Sequence, residues 1–232
     1  MIAHRVLLVF TLLALAACAT PRPMRPPVDP MLVRGNILRL VDQEWRAFGR
    51  QVVYWDTDHQ RIDPVGVWED ERKGSGLVAK YWTAVGRNFT GLDSGKPWSA
   101  AFISWVMWEA GVPDRVFPPS PLHANYLRAM VAGAADPAAR FQPQALESYV
   151  PKPGDLICAA RAGTQILHFD RIPEDALLHC DIVVGMEAGE LASIGGNVRN
   201  SVSKSLHPVD ATGHLLPDTD RRWFLVVENL YP

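Results

Sequence analysis

The chain is short of cysteine, of net charge and of metal-binding spacings, and each shortage narrows what it can be. Three cysteines in 232 residues are too few for a disulfide-dense scaffold, so a hydrophobic core has to carry the fold. A formal net charge of −2 leaves no basic footprint, which argues against a nucleic acid as the main partner. Neither an HExxH nor a CxxC spacing occurs, so the seven histidines do not read as a metal centre, and no cofactor is expected. No internal repeat divides the sequence. The one long apolar run, residues 6–17, is too short to span a bilayer comfortably.

That run is better read as a targeting segment. His4 and Arg5 give it a short basic start and small residues precede Cys18, as in an export signal. The segment LAAC ending at Cys18 resembles a bacterial lipobox. The resemblance implies a signal peptide over 1–17, cleavage before Cys18, and lipidation of its thiol and new amino group, which together anchor a protein firmly. Ala19, in place of an acidic residue, implies the periplasmic face of the outer membrane. An ordinary secretory signal would still export the chain. Residues 18–35 include the proline-rich stretch TPRPMRPPVDP, which reads as a semi-rigid tether. From 36 to 232 the composition is that of one globular domain, and about 200 residues suffice for a sizeable core. Eight tryptophans are expected mostly as core or cleft walls.

The period of the apolar residues changes along this domain. Ile37, Leu40, Val41, Trp45 and Phe48 recur at helical spacing, as do Val78, Tyr81, Trp82 and Val85. A third helix is expected after Pro97 and is stopped by Gly111 and Pro113, and a fourth after Ser120 and Pro121, carrying His123 and Tyr126. Beyond residue 150 come short segments rich in β-branched or alternating residues: GDLICAA, LLHCDIVVG, ELASIGG, SVSKSLHPV and RRWFLVVENL. Helices followed by strands predict an α+β domain with helices packed on one side of an antiparallel sheet or partly open barrel.

The stretch KPWSAAFISWVMWEAG is the centre of this reading. It puts Ser99 in the first turn of a strongly apolar helix, where unpaired N–H groups and the helix dipole favour negative charge. Such a seat suits a nucleophile, and it also suits a plain helix start, so partners elsewhere must decide. In LLHCDIVVG, alternation sends Leu178, Cys180, Ile182 and Val184 to one face and His179, Asp181 and Val183 to the other. Asn197, in the next strand, would lie beside His179 across a hairpin and could fix its tautomer, with Asp181 a rival for that role.

Taken together, PWSAAFISW, PGDLI, H-x-x-I-V-V-G and I-G-G-N resemble, in order and spacing, the papain-like NlpC and CHAP cell-wall hydrolases. The arrangement PWSAAFISWV…HANYL is more specifically similar to domain of unknown function 2272 (DUF2272), from about residue 70 onward. The resemblance implies a papain-like fold, Ser99 at the nucleophile position, His179 as base, Asn197 as orienting residue and oxyanion stabilisation from the first helical turn at Ser99 and Ala100. The papain-like enzymes carry cysteine where this chain has Ser99. A serine hydroxyl must lose its proton to the base during attack, whereas a thiol is already partly ionised. Trp98, Ala100, His123 and Tyr126 are the expected binding positions, the last two at the cleft rim. The sequence RAGTQILHFDRIPEDA is long enough for a binding or lid element.

Cys158 and Cys180 fall on strands expected to be neighbours, and in an exported protein they are expected to form a disulfide. The expected function is that of a lipid-anchored envelope hydrolase acting on amide or peptide bonds of peptidoglycan through Ser99, His179 and Asn197, with peptidoglycan or its peptides and the membrane as partners. The alternatives are an inactive envelope-binding module that keeps the cleft, and a serine esterase or acyltransferase.

Overall fold

The computed structural model describes residues 27–55, 60–161, 163–166, 168–216 and 221–232. The expected leader and Cys18 lie outside the described residues. The first helix, α1, covers Pro30–Ala47 and begins inside the stretch read as tether. Asp29 caps it by accepting the Met31 N–H at 3.0 Å, and Pro30 occupies a first-turn position that needs no donor. Arg34 ties this helix to the far end of the chain, donating to the carbonyls of Pro153, Asn229 and Tyr231. The buried stripe Val33, Ile37, Leu40, Val41 also carries Glu44, which is held by Lys80 and by the Tyr81 hydroxyl. A buried carboxylate persists only when paired in this way.

Helix α2 spans Arg72–Ala84, α3 Ser99–Ala110 and α4 His123–Ala132. Every residue of α3 from Ser99 to Met107 is buried. A helix apolar on all sides has to be surrounded, and α3 packs against α1, α2 and two strands of the sheet. Gly111 closes it in the left-handed conformation, φ 97°, which a residue with a Cβ adopts at a steric penalty.

The strands are β1 (Val52–Trp55), β2 (Gln60–Ile62), β3 (Phe141–Gln144), β4 (Leu156–Ala160), β5 (Leu178–Glu187), β6 (Glu190–Val198), β7 (Ser201–His207) and β8 (Arg222–Asn229). They form an open eight-stranded sheet in the order β2-β1-β7-β6-β5-β4-β8-β3. The fold is thus α+β. The expected antiparallel pairing is broken once, where β1, arriving from between α1 and α2, pairs parallel to β7. Two two-residue turns with positive φ at both positions, Ala188–Gly189 and Arg199–Asn200, join β5 to β6 and β6 to β7, as the twist of hairpin strands favours.

Both faces of the central strands are covered. Leu178, Cys180 and Ile182 join Leu156, Cys158, Ile194, Leu225 and the helices in the main core. The opposite face, expected to be the more polar, is closed over by a second cluster containing Ile157, Val183, Leu191, Leu215, Trp223 and Val226. Cys158 and Cys180 are register partners on β4 and β5 and form a disulfide.

Candidate active site

Two glycines let β6 approach α3. A Cβ on Gly196 would lie 2.5 Å from the Phe102 Cβ, and one on Gly195 would lie 1.7 Å from Asp181 Oδ1, both far inside van der Waals contact. The start of α3 is thereby pressed against the strand that follows β5. On its other side, Ser104 pins the incoming loop: its hydroxyl donates to the Ser120 carbonyl at 3.0 Å and accepts the Ser120 N–H at 3.1 Å. Helix α4 therefore begins directly over the first turn of α3.

The consequence is a buried contact that the sequence reading did not anticipate. Ser99, 2% exposed, has its Oγ 2.7 Å from His123 Nε2. The other nitrogen of that imidazole, Nδ1, is engaged by the Tyr126 hydroxyl, three residues on and so on the same helical face. His123 and Tyr126, expected at a cleft rim, are instead 4% and 0% exposed. The hydroxyl partner of Ser99 is thus His123 and not the expected His179. The His179 ring stands next in line, its centroid 5.8 Å from that of His123.

His179 Nε2 lies 2.7 Å from Asp181 Oδ1, so Asp181 occupies the orienting position. Arg221 donates to Asp181 Oδ2 at 2.7 Å, and the Ser193 hydroxyl reaches the same oxygen at 3.4 Å. Asn197, the expected orienting residue, turns away. It sits at φ 57°, where the register between β6 and β7 shifts, so its side chain leaves the strand alternation. Its amide donates to Glu69 and accepts the Trp98 N–H, both at 3.2 Å, which satisfies one of the unpaired donors at the head of α3. Trp98, expected at a binding wall, is 1% exposed; it stacks on Tyr81 and Phe48 and donates its indole N–H to Glu69. Ala100 lines the pocket beside Ser99.

Burial sets the protonation of these groups. It holds His123 well below the ordinary imidazole range, with His179 adding to the effect and Asp181 opposing it. Burial likewise lowers His179, against the opposing pull of Asp181. For Asp181, burial pushes upward, but His179 and Arg221 more than offset it and hold the carboxyl well below the usual range. Near neutral pH the site therefore contains two neutral imidazoles and one carboxylate. An ionised Asp181 accepts the Nε2–H of His179, which leaves Nδ1 as that ring's unprotonated nitrogen.

Two cavities meet here. A cleft of about 580 Å3 is bordered by His179, Asn197, Glu69, Lys96, Arg161 and Arg199 among others. A smaller pocket of about 250 Å3 is bordered by Ser99, Ala100, His123, Pro121 and the leucines 122, 177 and 178. Arg221, Ser193 and Glu69 escaped the sequence reading. Alternation with Leu191 could have placed Ser193 on the Asp181 side, whereas Arg221 and Glu69 reach the site from segments with no periodic signal. Among the described residues, no group of three or more His, Cys, Asp or Glu side chains is placed to hold a metal ion.

No curated protein and no solved structure matches the chain. A family model described as an uncharacterized protein conserved in bacteria (DUF2272) matches residues 46–228, a span that includes Ser99, His123, His179, Asp181, Asn197 and Arg221. The chain belongs to the DUF2272 family.

Proposed function

We propose that this protein is an exported, lipid-anchored serine hydrolase on a papain-like scaffold, cleaving amide or peptide bonds of peptidoglycan. The observation that carries the reading is the 2.7 Å approach of Ser99 Oγ to His123 Nε2 in the first turn of a buried helix. His123 takes the hydroxyl proton as Ser99 attacks the carbonyl, and returns it to the leaving nitrogen. The free N–H groups of the first turn of α3 receive the oxyanion. In the second step His123 takes a proton from the attacking water and returns it to Ser99 Oγ as the acyl group leaves, while the unprotonated nitrogen of His179, oriented by Asp181, accepts a hydrogen bond from that water. A nucleophile at the head of a central helix, facing a histidine-bearing strand, is also what supports the papain-like comparison. The lipobox-like LAAC supports the envelope location.

Incubating the soluble domain with purified sacculi and resolving the released muropeptides by mass spectrometry tests this. New products from the wild type, absent with Ser99→Ala, are expected; products that persist in Ser99→Ala would overturn the serine mechanism. One observation favours a second reading, a non-catalytic binding module. Both nitrogens of His123 are already engaged, by Ser99 and Tyr126, as in a satisfied structural histidine. Binding to sacculi without turnover, with turnover gained in Ser99→Cys, would select that reading.

A further inference from the structure

Ser99 borders the smaller of two adjoining cavities of opposite character. Pro97 and Arg161 border both, so a ligand can extend from one into the other past the serine. The larger cleft is cationic. Arg221 is neutralised by Asp181 at 2.7 Å, but Lys96, Arg161 and Arg199 have no carboxylate partner among the described residues. The one acidic residue among the described residues bordering the cleft, Glu69, is already engaged by the Trp98 indole and by Asn197. Among the described residues, three cations against one carboxylate leave a local surplus of positive charge in a chain whose formal net charge is −2. Arg199 is held over the cleft at the tip of the β6–β7 turn, in the left-handed conformation at φ 52°, with its guanidinium 5.8 Å from the centre of the Trp55 ring.

The smaller pocket is apolar, and its lip is formed by Leu122 and Leu177, which are 52% and 53% exposed. Leucines left half in water on both sides of one opening are an unfilled apolar surface. At about 250 Å3 the pocket falls below the usual range of about 300–1,000 Å3 for sites that bury a whole small-molecule ligand. It therefore suits a short side chain and excludes a long acyl tail.

We infer that the ligand is a bipolar acyl compound, with a carboxylate in the Lys96–Arg161–Arg199 cleft and a small apolar group between Leu122 and Leu177. A carboxylate fits better than a phosphate, because it is singly charged beside Glu69 and its two oxygens match a guanidinium fork. That the bond lying between the two groups is the one cleaved rests on the serine-hydrolase reading; the recognition itself does not.

The test uses the full chain carrying Ser99→Ala, titrated calorimetrically with N-acetyl-alanyl-glutamate, N-acetyl-alanyl-glutamine and N-acetyl-alanyl-lysine. The acidic probe is expected to bind about tenfold more tightly than its amide, given two or three partly exposed cation contacts, with the lysine probe weakest. The advantage should shrink in high salt and in Arg161→Gln and Arg199→Gln, while Leu177→Ser weakens all three probes alike. Equal binding of the glutamate and glutamine probes, tighter binding of the lysine probe, or no saturable binding of any would overturn the inference. Cleavage of sacculi by the wild type without charge selection in the titrations would overturn it and spare the serine mechanism. Charge-selective binding with no turnover of any substrate would do the reverse.

Discussion

The two halves of the site are built on different physics. The helix-borne half, Ser99, His123 and Tyr126, is neutral and buried, held together by hydrogen bonds between α3 and α4 and by aromatic packing of Tyr126 on Phe117. The strand-borne half, His179, Asp181, Arg221 and Ser193, is ionic and continues into the space under the second core cluster, where Ser193 Oγ lies 2.9 Å from His207 Nε2. The difference teaches where chemistry and stability separate. Removing a neutral partner from the first half leaves one unmet hydrogen bond, whereas removing Asp181 takes a charged partner from a buried guanidinium. The helix-borne half is the expected seat of bond making, and the strand-borne half fixes charge and orientation around it.

The sharpest way to break this division is Ser99→Ala. If the helix-borne half does the chemistry, turnover of sacculi should fall by about a thousandfold or more, while urea unfolding moves by only about 1–3 kcal/mol for the unmet His123 nitrogen. Asp181→Ala should show the opposite balance. It removes the carboxylate that Arg221 holds at 2.7 Å and is expected to destabilise the fold by about 3–5 kcal/mol, read from the urea midpoint, even where no substrate is present. The disulfide behind His179 joins residues 22 apart in sequence, and replacing both cysteines by alanine should lower stability by about 3 kcal/mol on loop-closure grounds. Thiol labelling of the native, unreduced protein should leave Cys158 and Cys180 unmodified.

A pH series separates the halves more finely. Burial depresses His207 to about 3, below its unfolded value of about 6.5. Its folded pKa is the lower one, so the stability gained by keeping it neutral is complete above about 6.5 and is lost as pH falls toward about 3. His123 and His179 are shifted in the same direction and add to the slope. Stability should therefore fall between pH 7 and 4, and His207→Gln should flatten part of that fall. An unchanged slope would remove His207 from the strand-borne network. The smallest effect is expected for Tyr126→Phe: about 1 kcal/mol for one lost hydrogen bond, with activity reduced only as far as His123 loses its orientation.

The sequence reading found the parts more readily than their partners. Ser99, His179 and Asp181 stand out because period and chain position bear on each separately. Helical spacing pairs His123 with Tyr126, as at a rim, but does not say that Ser104 will bind Ser120 and draw α4 over the head of α3. Extending the β5–β6 register puts Asn197 beside His179, but the left-handed conformation at Asn197, where the β6–β7 ladder shifts, turns its side chain elsewhere. The parallel β1–β7 pairing was equally hidden, since nothing local in VVYW specifies a partner about 150 residues away.

What the sequence determined by itself was therefore local: four helices from a 3.6-residue period, most of the strands from alternation and turn residues, and a serine at the head of the most apolar helix. Those follow from short-range sterics and patterning, which one chain segment carries alone. Only the tertiary structure decided that Ser99 meets His123, that Asp181 holds His179 with Arg221 behind it, and that the serine borders an apolar pocket adjoining a cationic cleft. Each of those depends on how close remote elements come: the Ser104–Ser120 hydrogen bonds draw α4 over α3, and glycines 195 and 196 let β6 approach α3 and Asp181, where any side chain would have held it off.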